Sequence, residues 1–165
     1  INYTSGVNVA AGDVDRDGFV DIVVAPQSGK RPIRVFDRFG RFQYEFTPYP
    51  FAFRVGVNVT VGDADGNGTL DILTAPGAGG GPQVRIFNER GKVINQFFAY
   101  APSFRGGVNL AVGDVDGDGV SEIITTPGAG GGPHIRVFNL KGEVKSQFFL
   151  PMAKFLGGLT VAVFH

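Results

Sequence analysis

The sequence predicts an all-β chain: a β-propeller-like array of three four-stranded antiparallel blades plus one extra C-terminal strand. Three observations predict it. The first is repetition. Gly6-Val7-Asn8-Val9-Ala10-Ala11-Gly12-Asp13 returns as Gly56 to Asp63 and again as Gly107-Val108-Asn109-Leu110-Ala111-Val112-Gly113-Asp114, with 50 residues from Asp13 to Asp63 and 51 from Asp63 to Asp114. The second is that each unit holds four short apolar or alternating runs separated by turn residues. The third is that no stretch has helical periodicity. Four-stranded units repeated at this length are the pattern of propeller blades. The 165 residues then form a single repeat domain with units at 6–55, 56–106 and 107–157 and a closing or exchanged strand at 158–165.

Each element has its own justification. The Gly-Val-Asn stretch is the first strand of a unit and runs into an acidic loop. After the loop comes an apolar second strand: Ile22-Val23-Val24, Ile72-Leu73-Thr74 and Ile123-Ile124-Thr125. A Pro/Gly segment follows (Ala25 to Pro32, Ala75 to Pro82, Thr126 to Pro133). In the third strand Arg alternates with branched or aromatic residues, as in Ile33-Arg34-Val35-Phe36, Val84-Arg85-Ile86-Phe87 and Ile135-Arg136-Val137-Phe138. Period-2 alternation of this kind predicts one wet face. Asp37-Arg38-Phe39-Gly40, Asn88-Glu89-Arg90-Gly91 and Asn139-Leu140-Lys141-Gly142 suit a type I turn closed by a left-handed glycine. A fourth strand leaves through Phe46, Phe97-Phe98 and Phe148-Phe149.

The repeats end on Gly157-Gly158-Leu159-Thr160-Val161-Ala162-Val163, which aligns with Gly106 to Val112, and Phe164-His165 stands where Gly113-Asp114 would be. Propellers typically close with 4–8 blades, so three units and one strand leave three arrangements open. The chain is part of a larger propeller whose last strand closes the ring; two copies complete a six-bladed ring; or copies associate head to tail. An unpaired strand recruits a partner in each case.

The chemistry lies in the acidic loops. Asp13-Val14-Asp15-Arg16-Asp17-Gly18-Phe19-Val20-Asp21 returns as Asp63-Ala64-Asp65-Gly66-Asn67-Gly68-Thr69-Leu70-Asp71 and as Asp114-Val115-Asp116-Gly117-Asp118-Gly119-Val120-Ser121-Glu122. Side-chain oxygens fall at positions 1, 3, 5 and 9, with glycine at 6. Carboxylates this dense repel one another unless a cation sits among them. Hard oxygen ligands without His or Cys favour calcium, at three sites. Position 7 (Phe19, Thr69, Val120) varies freely, as expected where only its backbone carbonyl is a ligand. An EF-hand does not fit: its twelfth position wants a bidentate Glu, and Val24, Thr74 and Thr125 stand there. The first loop has four carboxylates, the second replaces one with Asn67, and the third ends in the longer Glu122. The second site is therefore expected to bind calcium more weakly than the first.

Composition supports a folded, metal-bound module. Hydrophobic residues make up 43%, and eleven of the fifteen acids lie in the three loops. Three calcium ions would carry the formal charge from 0 to +6, yet no basic run suggests a nucleic-acid face. There is no cysteine, hence no disulfide framework. No segment approaches the ~20 apolar residues of a membrane helix. The chain starts at Ile1 without a signal peptide, as processing or truncation would leave it.

The loop spacing, together with Thr74-Ala75-Pro76-Gly77-Ala78-Gly79-Gly80-Gly81-Pro82, resembles the FG-GAP repeat. That repeat builds the seven-bladed calcium-binding propeller of integrin α subunits and many bacterial extracellular proteins. The resemblance implies calcium at Asp13, Asp15, Asp17 and Asp21; at Asp63, Asp65, Asn67 and Asp71; and at Asp114, Asp116, Asp118 and Glu122. This chain departs from the pattern at Phe104-Arg105-Gly106-Gly107, where the Phe-Gly pair is stretched, and at Gln27-Ser28-Gly29-Lys30-Arg31-Pro32.

Other motifs point away from catalysis. Gly77 to Pro82 and Gly128 to Pro133 lack the Gly-Lys-Ser/Thr ending of a phosphate loop and read as turns. His134 and His165 have no neighbouring Ser, Cys or paired acid. Most Phe residues recur at matching positions, which indicates blade packing; Phe39, Phe51 and Tyr100 are candidates for surface contacts. Asn2 and Asn58 head glycosylation sequons, while Asn67, also in one, is better used as a metal ligand. The expected function is a non-enzymatic, extracellular or cell-surface, calcium-stabilised scaffold for adhesion or self-assembly, with protein or glycan ligands as partners. The alternatives are a carbohydrate-binding, lectin-like propeller and an accessory domain of a secreted polysaccharide-active enzyme.

Overall fold

The computed structural model describes residues 5–50, 52–152 and 154–163. The first sheet contains β1 (Val7–Gly12), β2 (Asp21–Pro26), β3 (Ile33–Phe36) and β4 (Phe42–Phe46). The second contains β5 (Val57–Gly62), β6 (Asp71–Pro76), β7 (Gln83–Phe87) and β8 (Val93–Phe98). The third contains β9 (Val108–Gly113), β10 (Glu122–Pro127), β11 (His134–Phe138) and β12 (Val144–Phe149). Each sheet is antiparallel with its strands in sequence order, the layout of a propeller blade, and the three sheets do not close into a ring. Among the described residues there is no helix, so none is long and apolar enough to cross a membrane.

Local sequence explains the connections. The β3–β4 turn is closed by Gly40 N–H donating to Asp37 O at 2.9 Å, with Gly40 at φ 76°. Asp37 Oδ1 accepts from the backbone of Phe39 and of Arg41, both at 2.8 Å. An Asx side chain and a glycine free to take positive φ are what this turn needs. Asn88 with Gly91 and Asn139 with Gly142 repeat it.

The core lies between sheets. Along β6, Ile72 packs toward the first sheet with Val23, Val35, Val57 and Phe87. Leu73 points the other way, to Val84, Val108, Ile123 and Phe138. The middle sheet is thus covered on both faces, and β6 is buried along its whole length. Burying each such side chain stabilises by about 1.5–3 kcal/mol.

Polar joins run across the same interfaces. Asn8 Nδ2 donates to Val57 O (2.8 Å) and Asn58 Oδ1 (3.0 Å). Asn58 repeats this toward Val108 O (2.7 Å) and Asn109 Oδ1 (3.1 Å), and Asn109 donates to Leu159 O. The Asn58 sequon therefore sits on a strand, and a glycan there would leave its nitrogen a single N–H for two acceptors. Asn2 lies outside the described residues.

A second join involves Tyr100, expected at the surface from its irregular position. Its single hydroxyl hydrogen is within reach of Thr125 O (3.0 Å) and His134 O (2.9 Å), tying the second sheet's exit to the third sheet. Tyr49 does the same one repeat earlier, toward Gln83 O (2.9 Å). Arg85 and Arg136 belong to this join rather than to a purely wet face: Arg85 Nη1 donates to Pro48 O at 2.7 Å, and Arg136 Nη1 to Ala99 O. Phe51 lies outside the described residues, and Phe39 is exposed.

The Pro/Gly segments make the third join. Gly29, Gly79 and Gly130, all at positive φ, donate to Arg54 O, Arg105 O and Leu156 O at 2.8–2.9 Å. A side chain on Gly77 or Gly128 would press on the Gly56 or Gly106 carbonyl, so the backbones meet directly.

The expected thirteenth strand is corrected. Leu159–Val163 forms no strand among the described residues, because no antiparallel neighbour is there to share a ladder. It still lies where a next inner strand would. Val163 covers Gly113 as Val112 covers Gly62 and Val61 covers Gly12, and Leu159 N–H donates to Pro127 O at 3.0 Å.

Asn58→Ala should lower stability by about 1–3 kcal/mol, since it leaves the Val108 carbonyl without its donor. The exposed Lys92→Ala should change it by no more than about 0.5 kcal/mol. Chemical denaturation of the two variants checks the difference.

Candidate metal centres

Each acidic loop leaves the inner strand at a glycine and returns at a buried acid. Asp21, Asp71 and Glu122 are each 2% exposed and open the second strand opposite Gly12, Gly62 and Gly113. One oxygen of each is held by the loop backbone: Val14 N–H to Asp21 Oδ2 (3.1 Å), Ala64 N–H to Asp71 Oδ2 (3.2 Å), Val115 N–H to Glu122 Oε2 (3.0 Å). The buried acid fixes the turn, and its other oxygen remains for a further partner.

Positions 1, 3 and 5 are oriented by the loop itself. Asp13 Oδ2 accepts from Gly18 N–H (3.0 Å), Asp15 Oδ1 from Asp17 N–H (3.1 Å), and Asp17 Oδ1 from Phe19 N–H (2.8 Å). The second loop repeats this through Asp63, Asp65 and Asn67, with Asn67 Oδ1 accepting from Thr69 N–H at 2.6 Å. The neutral Asn67 thus holds its oxygen as the aspartates hold theirs. Asp114, Asp116 and Asp118 repeat it again. Gly18, Gly68 and Gly119 take φ of 80–88°, which a Cβ would resist.

Carboxylate oxygens converge within 4.8 Å of one another from Asp13, Asp15 and Asp17; from Asp63, Asp65 and Asp71; and from Asp114, Asp116 and Glu122. These groups could hold a metal ion. Position 7 is exposed at Phe19 and Val120 and half-buried at Thr69. The Arg38 guanidinium covers the Phe19 ring at 3.3 Å.

The loops differ in how well they suit a divalent cation. In the first, Asp13 Oδ1 is buried and has no hydrogen-bond partner among the described residues. An anionic oxygen withdrawn from water without a partner is costly, and a hard cation among these carboxylates would satisfy it. Burial, reinforced by Asp17, Asp13 and Asp21, also holds the Asp15 carboxyl above its ordinary range. In the second loop, burial first and then Asp65 and Asp63 push Asp71 up to about 7. The guanidinium groups near these two loops, Arg16 and Arg38, meet backbone carbonyls and the Phe19 ring. The third is different: the Lys145 ammonium lies 2.7 Å from Asp116 Oδ2, 3.2 Å from Asp118 Oδ2 and 2.7 Å from Glu122 Oε1. Backbone N–H from Val120, then Lys145, hold Asp118 below the usual carboxylate range.

Sequence reasoning missed two contacts here. Arg16 bridges the first two loops, donating to Gly68 O and Asn67 O, each at 3.0 Å. Lys145 reaches the third loop from the far edge of its sheet. A lone basic residue at each place was the available signal, and only strand register gives it a target.

A family model described as FG-GAP-like repeat matches residues 13–74, a span that contains the first two acidic loops. No curated protein sequence matches the chain. Among solved structures, the fold is similar to the exotype rhamnogalacturonan lyase YesX, with TM-score 0.63, 15% identity, and 86% of this chain against 32% of that one. It is also similar to the rhamnogalacturonan lyase YesW, with TM-score 0.65, 14% identity, and 91% against 35%. The V. cholerae biofilm matrix protein Bap1 matches with TM-score 0.43, 21% identity, and 86% against 28%. The chain spans about a third of the length of the two lyases.

In chelator, the folded protein should keep a proton on Asp71 that the unfolded chain releases near pH 4. Stability should therefore fall as pH rises from about 4 to about 7, then level off. Asp71→Asn should remove that component of the slope, as read by chemical denaturation at pH 5 and 7.5.

Proposed function

We propose that the chain is a calcium-stiffened run of propeller blades that serves as a non-enzymatic, extracellular scaffold for adhesion or self-assembly. The observation that carries the reading is the buried, unpartnered Asp13 Oδ1 at the centre of a loop whose other oxygens are already aimed by backbone N–H groups. Hard oxygen donors, a glycine-permitted turn and carboxylates exceeding the local positive charge suit calcium at the millimolar level found outside cells. The residues that would hold it are Asp13, Asp15, Asp17 and Asp21 in the first loop and Asp63, Asp65, Asn67 and Asp71 in the second. Bound calcium would supply counter-charge, letting each inner strand turn sharply into the next.

The scaffold reading draws on repetition. The Asn, Tyr–Arg and glycine joins recur between successive sheets, and the loops stand at equivalent places on each. A surface built this way presents similar edges at regular intervals, which suits adhesion or association with further blades. Those blades would come from other copies or from the rest of a larger propeller. The span of about a third of two polysaccharide lyases favours a second reading, in which these blades belong to a larger polysaccharide-active protein.

Chelation should lower the melting temperature by roughly 10–20 °C if two sites each sit about a hundredfold above their Kd. Asp13→Asn should reduce that difference by about half, and mass measurement in solution with and without calcium should report any association of copies. An unchanged melt in excess chelator would overturn the calcium reading. Cleavage of a polyuronate by the chain would replace the non-enzymatic one.

A further inference from the structure

The outer strands of the first and third sheets each send one side chain to the acidic loop of the same sheet. Gln43, Ile94 and Lys145 each follow the residue that pairs with the last Phe of the third strand: Phe42 with Phe36, Val93 with Phe87, and Val144 with Phe138. The position reaches the loop in the first sheet, where Gln43 Nε2 donates to Asp21 Oδ1 at 2.9 Å. The register position that carries an amide in the first sheet and an ammonium in the third carries the aliphatic Ile94 in the second.

The oxygens that Lys145 engages are informative. Asp116 Oδ1 accepts from Asp118 N–H, Asp118 Oδ1 from Val120 N–H, and Glu122 Oε2 from Val115 N–H. Lys145 binds the other oxygen of each: Asp116 Oδ2, Asp118 Oδ2 and Glu122 Oε1. Those are the oxygens the loop backbone leaves for a cation. An ammonium has three donors and no acceptor, and here all three donors meet carboxylate. One partner, Glu122, is buried, where charge pairing is screened least.

We propose that Lys145 is the built-in cation of the third loop and that it excludes calcium from that loop at concentrations that fill the first two. The inference rests on the calcium reading of the first two loops and changes the count from three sites to two. A divalent ion entering the third loop must displace a tethered ammonium from three oxygens and then lie beside its charge. In return, the third sheet keeps its turn when calcium is withdrawn.

The test is calorimetric titration of calcium into metal-free protein, paired with melting in chelator. The wild-type chain should show two tight sites. Lys145→Gln should show a third, with affinity raised about tenfold or more once the competing charge is gone, and should melt lower than wild type in chelator. Ile94→Lys, at an exposed position, should transfer the property: one tight site is lost, and the variant melts higher in chelator than wild type. Three tight sites in the wild type, unchanged by Lys145→Gln, would overturn the proposal and leave the calcium reading standing. Absence of calcium binding in wild type and Lys145→Gln alike would overturn both.

Discussion

Everything in this fold waits on three carboxylates that are taken out of water. Asp21, Asp71 and Glu122 open the second strand of each sheet, and each is fixed by a backbone N–H from the start of its own loop. That single bond makes the inner strand turn back on itself within nine residues. It also concentrates negative charge where the turn is tightest. A buried anion is tolerable only beside a positive charge, a proton or several donors. The three loops use different combinations of these. In the first, Asp21 takes amide donors from Val14 and Gln43; the second raises the proton affinity of Asp71; and the third draws in Lys145. One backbone solution thus supports three electrostatic ones.

With the turns made, the sheets are joined by groups that sequence periodicity does not single out. The apolar contribution is large, with Ile72 and Leu73 on opposite faces of one strand each reaching a different neighbour. Apolar contact alone leaves sliding and rotation cheap. The asparagine amides and the tyrosine hydroxyls remove that freedom, because each needs a particular carbonyl at a particular distance. The glycines add close backbone approach at Gly56 and Gly128, where a Cβ would collide with the Gln27 and Gly106 carbonyls.

How much of this was readable beforehand depends on the range of each interaction. The turns of the acidic loops were legible because the oxygen spacing and the glycine that shape them lie within nine residues. The β3–β4 turns were legible for the same reason. Arg85 and Arg136 were read as solvent-facing because alternation assigns a residue to a face without saying what covers that face; Pro48 and Ala99 do so from a neighbouring connection. Tyr100 was misplaced although Tyr49 precedes it by one repeat length, which was a usable signal. Lys145 offered only its charge, since its target depends on register between strands more than twenty residues apart. Leu159–Val163 has the composition of a strand, but strand formation is a property of two segments and composition describes one.

The asparagine row has a direction. Asn8 donates to the second sheet, Asn58 to the third, and Asn109 onward to Leu159, so every amide gives in the same sense along the row. A row with that polarity has unlike ends. A two-fold axis passing through the contact itself would bring like ends together, donor against donor or acceptor against acceptor. Any contact that extends the row between molecules is therefore heterologous rather than isologous, and its rotation per step decides between a closed ring and an open helix.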